Sequence, residues 1–455
     1  MRDLFLLGYL VALLAVALRR PFLFTLAYIY VDTVSPQRLS WFLLNRIPLS
    51  LILAALAMGA WLIADRKDGL RFTMRQGLML LMLAYAGVTT LHADFPVEAA
   101  VKWDWAWKAV AFAVFLPFTL RTRLRIEATL LFLTLSAASI IITGGIKTVL
   151  SGGGYGVLNL MVDNNSGLYE SSIISTVSIA LIPIIWWLMR HGTIFPPDWR
   201  VKAFGAGLIF ACLLIPVGTE ARTGLVCIAL LAVLMLREVK RRFLYIALLG
   251  TLGLCAIPLL PSSFTSRMQT IEGYQGDQSA GTRLAVWGWT LDYVKDHPFG
   301  GGFGAYRQNR VQVNLTDAQA SGAVESIDSR TVEDAGRAWH SSYFEMLGEQ
   351  GWPGLAIFLA IHLIGLVRME TIRRRYRRRD DLPWAAPLAT ALQHFHLIYL
   401  LGGAFVQTAF QPFGWLVIGV QMGFDNWLAK REKAGRPRQG FAPAPPLPGA
   451  SAGAA

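Results

Sequence analysis

The chain has 455 residues, 54% of them hydrophobic and only 16% charged, with a formal net charge of +13. A soluble multi-domain enzyme is excluded by apolar runs of about 18 or more residues that recur along the chain, each long enough to cross a bilayer. Nucleic acid is not the reading of the positive charge, because the basic residues gather between the apolar runs.

Residues 1–150 read as N-terminal transmembrane helices. The first run, LFLLGYLVALLAVAL, has the look of a secretory signal. Arg19 and Arg20 follow it directly and no small-residue cleavage site is evident, so it is expected to be retained. With the run after Pro21 it makes either two short spans or one span and a re-entrant piece. Further spans are predicted near 47–64, 76–92, 103–120 and 126–145. Residues 151–260 form a central group with spans near 171–189, 203–217, 223–236 and 243–260, and residues 353–428 a C-terminal group near 353–368, 385–408 and 413–428. Backbone in lipid must satisfy its own hydrogen bonds, so these runs are helices. The predicted fold class is an all-α polytopic integral membrane protein with about twelve transmembrane helices. Cys212, Cys227 and Cys255 all lie in apolar runs and read as free packing residues.

Basic clusters alternate with the spans: Arg66, Lys67, Arg71 and Arg75; Arg121, Arg123 and Arg125; Arg237, Lys240, Arg241 and Arg242; and RRRYRRR at 373–379. The positive-inside rule sets these loops in the cytoplasm together with a Pro/Ala-rich tail, 429–455, predicted to be disordered. A cytoplasmic nucleic-acid or anionic-lipid role for 373–379 is the less favoured reading of that run. The opposite loops are acidic or neutral: 92–100, 151–170, the turn GTEAR at 218–222, and one large loop at 261–352. That loop is near-neutral and alone large enough for an extramembrane unit, so it is where chemistry is expected, on short helices.

Several residues have both a functional and a structural reading. Arg222, directly before a span on the non-cytoplasmic face, is either a snorkelling interfacial arginine, paired with Glu220 or not, or a ligand for phosphate oxygens, which arginine grips bidentately. Arg283 begins an amphipathic helix and is either a solvated face charge or a second phosphate ligand. Lys102, Asp104 and Lys108 are candidates for lipid-phosphate contact, or else Asp104 and Lys108 form an i,i+4 pair. His340 precedes Tyr343, Phe344 and Leu347 at helical spacing. It is either a structural interfacial histidine or a general base. Gly351 reads as a helix end and Pro353 as the start of the next span. No Asp-x-Asp pair or His/Cys cluster with metal spacing occurs in the outward loops, which favours metal-independent chemistry.

Three pieces in order carry a resemblance. They are VGTEARTGLVCIALLAVLMLRE (217–238), RMQTIEGYQGDQSAGTRLAVWGWTLDYVKDHPFGGGFGAY (267–306), and AWHSSYFEMLGEQGWPGLAIFL (338–359) with Glu349, Gly351 and Gly354. Together they resemble the O-antigen ligase and polymerase superfamily, most closely the O-antigen ligases and the exosortase-associated O-glycosylation ligases; Asp163–Asn165 point the same way. The resemblance implies a multi-pass glycosyltransferase of the bacterial inner membrane with its active site in the large periplasmic loop. Such an enzyme moves a glycan from undecaprenyl diphosphate to an acceptor, for ligases the lipid A–core oligosaccharide, needing no cofactor and no nucleic acid. His340 then serves as the catalytic base and Arg222 and Arg283 as diphosphate ligands, with Glu220, Arg267 and Lys108 secondary. A polymerase, a protein O-glycosylation ligase and, from another class, a transporter of lipid-linked glycan are the alternatives.

Overall fold

The computed structural model describes residues 2–158, 167–237, 278–321 and 324–435. Arg267, Cys255, Asp163–Asn165, the span expected at 243–260 and the tail from 436 lie outside the described residues. The body is helical. Residues 2–34 form two helices, α1 (Arg2–Arg19) and α2 (Leu23–Val34), and a short α3 (Pro36–Leu39) follows. Then come α4 (Leu49–Ala64), α5 (Met74–Leu91), α6 (Pro96–Thr119), α7 (Arg123–Ser151), α8 (Ser171–His191), α9 (Trp199–Gly218) and α10 (Arg222–Leu236). Each expected span within the described residues coincides with one of these helices or with a C-terminal one. Four described helices, α7, α8, α9 and α12 (Ser342–Tyr376), are long and apolar enough to cross a membrane; α2, α4 and α10 are shorter apolar helices.

Start signals are local and legible. Thr73 and Gln76 form a capping box at α5. Thr122 caps α7 and Asp198 caps α9 by accepting backbone N–H bonds. The central helix is α8, whose apolar window is 83% buried; it packs on α7, α9, α10 and α13 (Ala385–Gly403). The last helix, α14 (Pro412–Gly435), continues seven residues into the stretch expected to be disordered from 429.

The helices run between two ends. At one end basic residues meet carboxylates from distant segments: Arg125 with Asp65 at 2.8 Å, Lys430 with Asp68 at 3.0 Å, Arg368 with Asp425 at 2.8 Å, Arg237 with Glu370 at 3.3 Å. At the other end the α5–α6 turn meets the large loop, where Asp94 N–H donates to Gly301 O at 3.0 Å and Tyr293 Oη donates to Asp94 at 2.6 Å. Among the described residues, members of several of the expected basic clusters thus meet at one end.

The large loop adds something that its reading as short helices did not contain. α11 (Gln278–Asp296) is followed by a glycine turn and then by an antiparallel hairpin, β1 (Arg310–Ser321) and β2 (Val324–Ala335), in register from Arg310–Ala335 to Ser321–Val324. Val311, Val313, Thr316, Val324, Ile327, Thr331 and Val332 supply the β-branched content that favours strand. At the hairpin base, buried Asn309 holds the returning chain. Its Oδ1 accepts from Arg337 N–H at 2.9 Å and its Nδ2 donates to Arg337 O at 2.7 Å.

Candidate functional site

His340 follows the hairpin directly. It is not on the helix: α12 starts at Ser342 with Ser341 as N-cap, and His340 sits one residue earlier with φ +46°, in the left-handed region that few non-glycine residues enter. The expectation that its ring shares a helix face with Phe344 and Leu347 is thus corrected, because its backbone conformation aims it independently of the helix.

Aromatic packing fixes that position. The neighbouring Trp339 is fully buried and donates its indole N–H to Thr290 Oγ1 at 2.8 Å. Trp287 of α11 donates to Trp339 O at 2.8 Å and stacks on Phe344 of α12 at 4.8 Å. Arg283 lies four residues before Trp287, on the same face of α11. The clamp that holds Trp339 therefore brings Arg283 to His340. Part of the His340 ring stays open to solvent. Surrounding protein, then the Arg283 and Arg337 guanidinium groups, hold its pKa below the usual histidine value, so the ring is neutral at neutral pH. Arg283 also acts on Glu170, the N-cap of α8. Burial raises that carboxyl, while the Ile173 N–H bond and Arg283 oppose the rise.

Arg222 reaches the same end by another route. It is the first residue of α10, half-buried, after a turn in which Glu220 takes φ +52°. That turn packs on the first turns of α8: Thr219 Oγ1 and Ser175 Oγ are 3.0 Å apart, and a Cβ at Gly224 would lie 3.1 Å from Ser175 Cβ. One residue along α8, a Cβ at Gly402 would lie 2.2 Å from Thr176, so only glycine lets the end of α13 approach. Ser342, two residues after His340, hydrogen-bonds Val406 O at 2.9 Å just beyond it. The N-terminal end of α8 is thus ringed by Arg222, Arg283 and His340. The fold brings Arg283 within electrostatic reach of His340, and sets Arg222 and Glu220 on the adjoining turn.

Lys108 is not part of this cluster. It pairs with Asp104 at 2.8 Å along α6, the structural alternative weighed for it. Lys102 departs from the reading as a lipid-phosphate contact. Its ammonium lies 2.6 Å from Glu345 and 2.7 and 2.8 Å from the two Glu349 oxygens, over the rings of Phe303 and Phe410. Glu349 also accepts from Gly304 N–H at 3.1 Å and Glu345 from Ala409 N–H at 3.2 Å. Two buried carboxylates drew this lysine inward, because neither can stay charged there without a partner. Only Glu349 had stood out in sequence, as part of the Glu349–Gly351–Gly354 text. Glu345, four residues earlier on the same face, was the available signal.

The glycine turn after α11 rests on this cluster. Gly301 and Gly302 N–H groups donate to Gly348 O and Glu349 O at 3.0 and 2.9 Å, and Trp352 N–H donates to Pro298 O at 3.0 Å. At Gly351 (φ +63°, ψ −167°) α12 breaks and restarts, as its glycine and Pro353 implied. A Cβ there would lie 2.2 Å from Pro298 O, so the turn and the break need each other to be glycine. Among the described residues no three His, Cys, Asp or Glu side chains gather closely enough to hold a metal ion.

Comparison with family models now bears on this geometry. Residues 206–359, which hold the α9–α10 turn, α11, the glycine turn and the His340 loop, match the O-antigen ligase family model. Over this segment the chain is similar to the O-antigen ligase family, which supports a place in the O-antigen ligase superfamily. The match supports a membrane glycosyltransferase of the ligase or polymerase type. Residues 1–193 match a family of unknown function (DUF5935), so α1–α8 lie outside the ligase domain although α8 carries the end on which the site is assembled. No curated protein matches the chain.

Proposed function

We propose that the chain is an O-antigen ligase-type glycosyltransferase of the bacterial inner membrane, working on the periplasmic face. Its donor is a glycan on undecaprenyl diphosphate and its acceptor the lipid A–core oligosaccharide. The observation that carries the reading is the neutral His340 held beside Arg283, at the end of the bundle opposite the basic clusters. A neutral imidazole can accept a proton from an attacking sugar hydroxyl. Arg222 and Arg283 would bind the donor diphosphate and neutralise the charge that grows on it as the glycosidic bond breaks.

In a single displacement the acceptor oxygen bonds to the anomeric carbon with inversion, His340 takes the hydroxyl proton, and undecaprenyl diphosphate leaves with the bonding electron pair. Two arginines can do the charge neutralisation otherwise done by a metal, and the outward loops contain no Asp-x-Asp, which supports a metal-independent reaction. Glu220 and, outside the described residues, Arg267 are secondary candidates for donor contact. The test is incubation of purified protein with lipid-linked glycan and separate acceptors: lipid A–core, a second lipid-linked glycan, and protein. Product on lipid A–core alone supports the ligase. Product only on one of the other two makes the enzyme a polymerase or a protein ligase.

A further inference from the structure

The second half of α12, from Trp352 to Tyr376, is 25 residues and so about 38 Å long, more than the ~30 Å of a hydrocarbon core. Its last turns therefore emerge at headgroup level on the basic end of the molecule. There, between the end of α12, the start of α13 and Arg237 after α10, lies a cavity of about 500 Å³. Arg237, Arg373, Arg377 and Arg379 line it beside the Tyr376 ring, with Asp380 as the acid in its wall.

Among the described residues the cations here outnumber the acids. Arg237, Arg373 and Arg374 all share one carboxylate, Glu370, at 3.3, 2.7 and 2.6 Å. Arg379 is matched by Asp381 at 3.0 Å, and Arg377 makes no ion pair among the described residues. On the other side of Glu370 an open cavity of about 810 Å³ joins Arg374 and Arg375 to Leu366 and Val367, apolar residues of α12 about two turns deeper. Val367 is 58% exposed, as a lipid-facing residue would be. Cation density at headgroup depth thus adjoins a surface suited to acyl chains.

We propose that the arginine-lined cavity binds the phosphate of an anionic phospholipid headgroup from the cytoplasmic leaflet. Guanidinium groups take phosphate oxygens in pairs, and the neighbouring apolar strip gives the acyl chains a place to lie. The inference rests on the membrane orientation of the helices and is independent of the reaction at the other end.

The test uses full-length protein in phosphatidylcholine nanodiscs doped with phosphatidylglycerol, with the lipid retained after detergent release measured by mass spectrometry. Wild type should retain phosphatidylglycerol over phosphatidylcholine. The Arg237→Gln/Arg377→Gln double variant should lose retention by about fivefold per arginine. Glu370 keeps Arg373 and Arg374 in that variant, so its melting temperature should not move. Arg66→Gln/Arg71→Gln removes the same charge from the same end away from the cavity and should retain the lipid. Equal loss in both double variants, or no preference for phosphatidylglycerol, overturns the proposal. Binding of inorganic phosphate in pure phosphatidylcholine discs, lost with Arg237 and Arg377, would make the ligand a soluble phosphate and overturn the lipid assignment.

Discussion

Replacing His340 by asparagine separates proton transfer from backbone geometry. At φ +46° the site disfavours ordinary side chains, and asparagine is among the residues that enter this region most readily. Alanine is not, so His340→Ala adds a backbone cost of about 1–2 kcal/mol to whatever chemistry it removes. His340→Asn should therefore keep the wild-type melting temperature and lose about 10²–10⁴ in kcat, or roughly 2.7–5.4 kcal/mol of barrier. Burial, then Arg283 and Arg337, hold the His340 pKa below 6.5, so the wild-type rate should fall only when pH drops through that depressed value. Below it the ring carries a proton and cannot take another. Arg283→Gln removes a cation that repels this proton, so the limb should move to higher pH even as overall activity falls. The assay is glycan transfer by purified protein across pH 4.5–8.0, with donor binding measured separately. Near-normal turnover in His340→Asn, or a limb that Arg283→Gln leaves in place, would refute the assignment of His340 as base.

Arg222→Lys and Arg283→Lys should each impair transfer despite keeping the charge, by about 1.5–3 kcal/mol for the lost bidentate contact, read as kcat/KM for the lipid-linked donor; normal activity in both rejects a diphosphate role. Lys102→Met strands Glu345 and Glu349 and should cost about 3–5 kcal/mol of stability, whereas Lys108→Met breaks a pair whose Asp104 is 70% exposed and should cost less than about 0.5 kcal/mol. Melting curves that do not separate these two variants would show that the buried network is not supporting the glycine turn. Transfer should survive excess EDTA; loss restored by Mg²⁺ or Mn²⁺ would reveal a cation requirement.

Much of the candidate site was legible in the sequence because its residues are odd for their surroundings. An arginine at a span end away from the basic loops, a histidine ahead of aromatic residues at helical spacing, and glycines before a proline each break a local expectation. What could not be read was partnership. Lys102 and Lys108 look alike in VKWDWAWKAV, six residues apart on one helix. One turns inward, half-buried, against two carboxylates some 240 residues away and the other lies along its own helix against Asp104.

The sequence by itself determined the helices, the end to which the basic clusters belong, the break at Gly351 and the residue types available for chemistry, since hydropathy, helix caps and glycine–proline punctuation act within a few residues of where they occur. Only the tertiary structure decided that α11 sets Arg283 against His340 through the Trp287–Trp339–Phe344 clamp. It alone decided that His340 adopts a left-handed backbone ahead of its helix, and that a hairpin rises from Asn309. Those outcomes depend on which distant surfaces bury together, and burial against a remote partner leaves no periodicity in the chain to read.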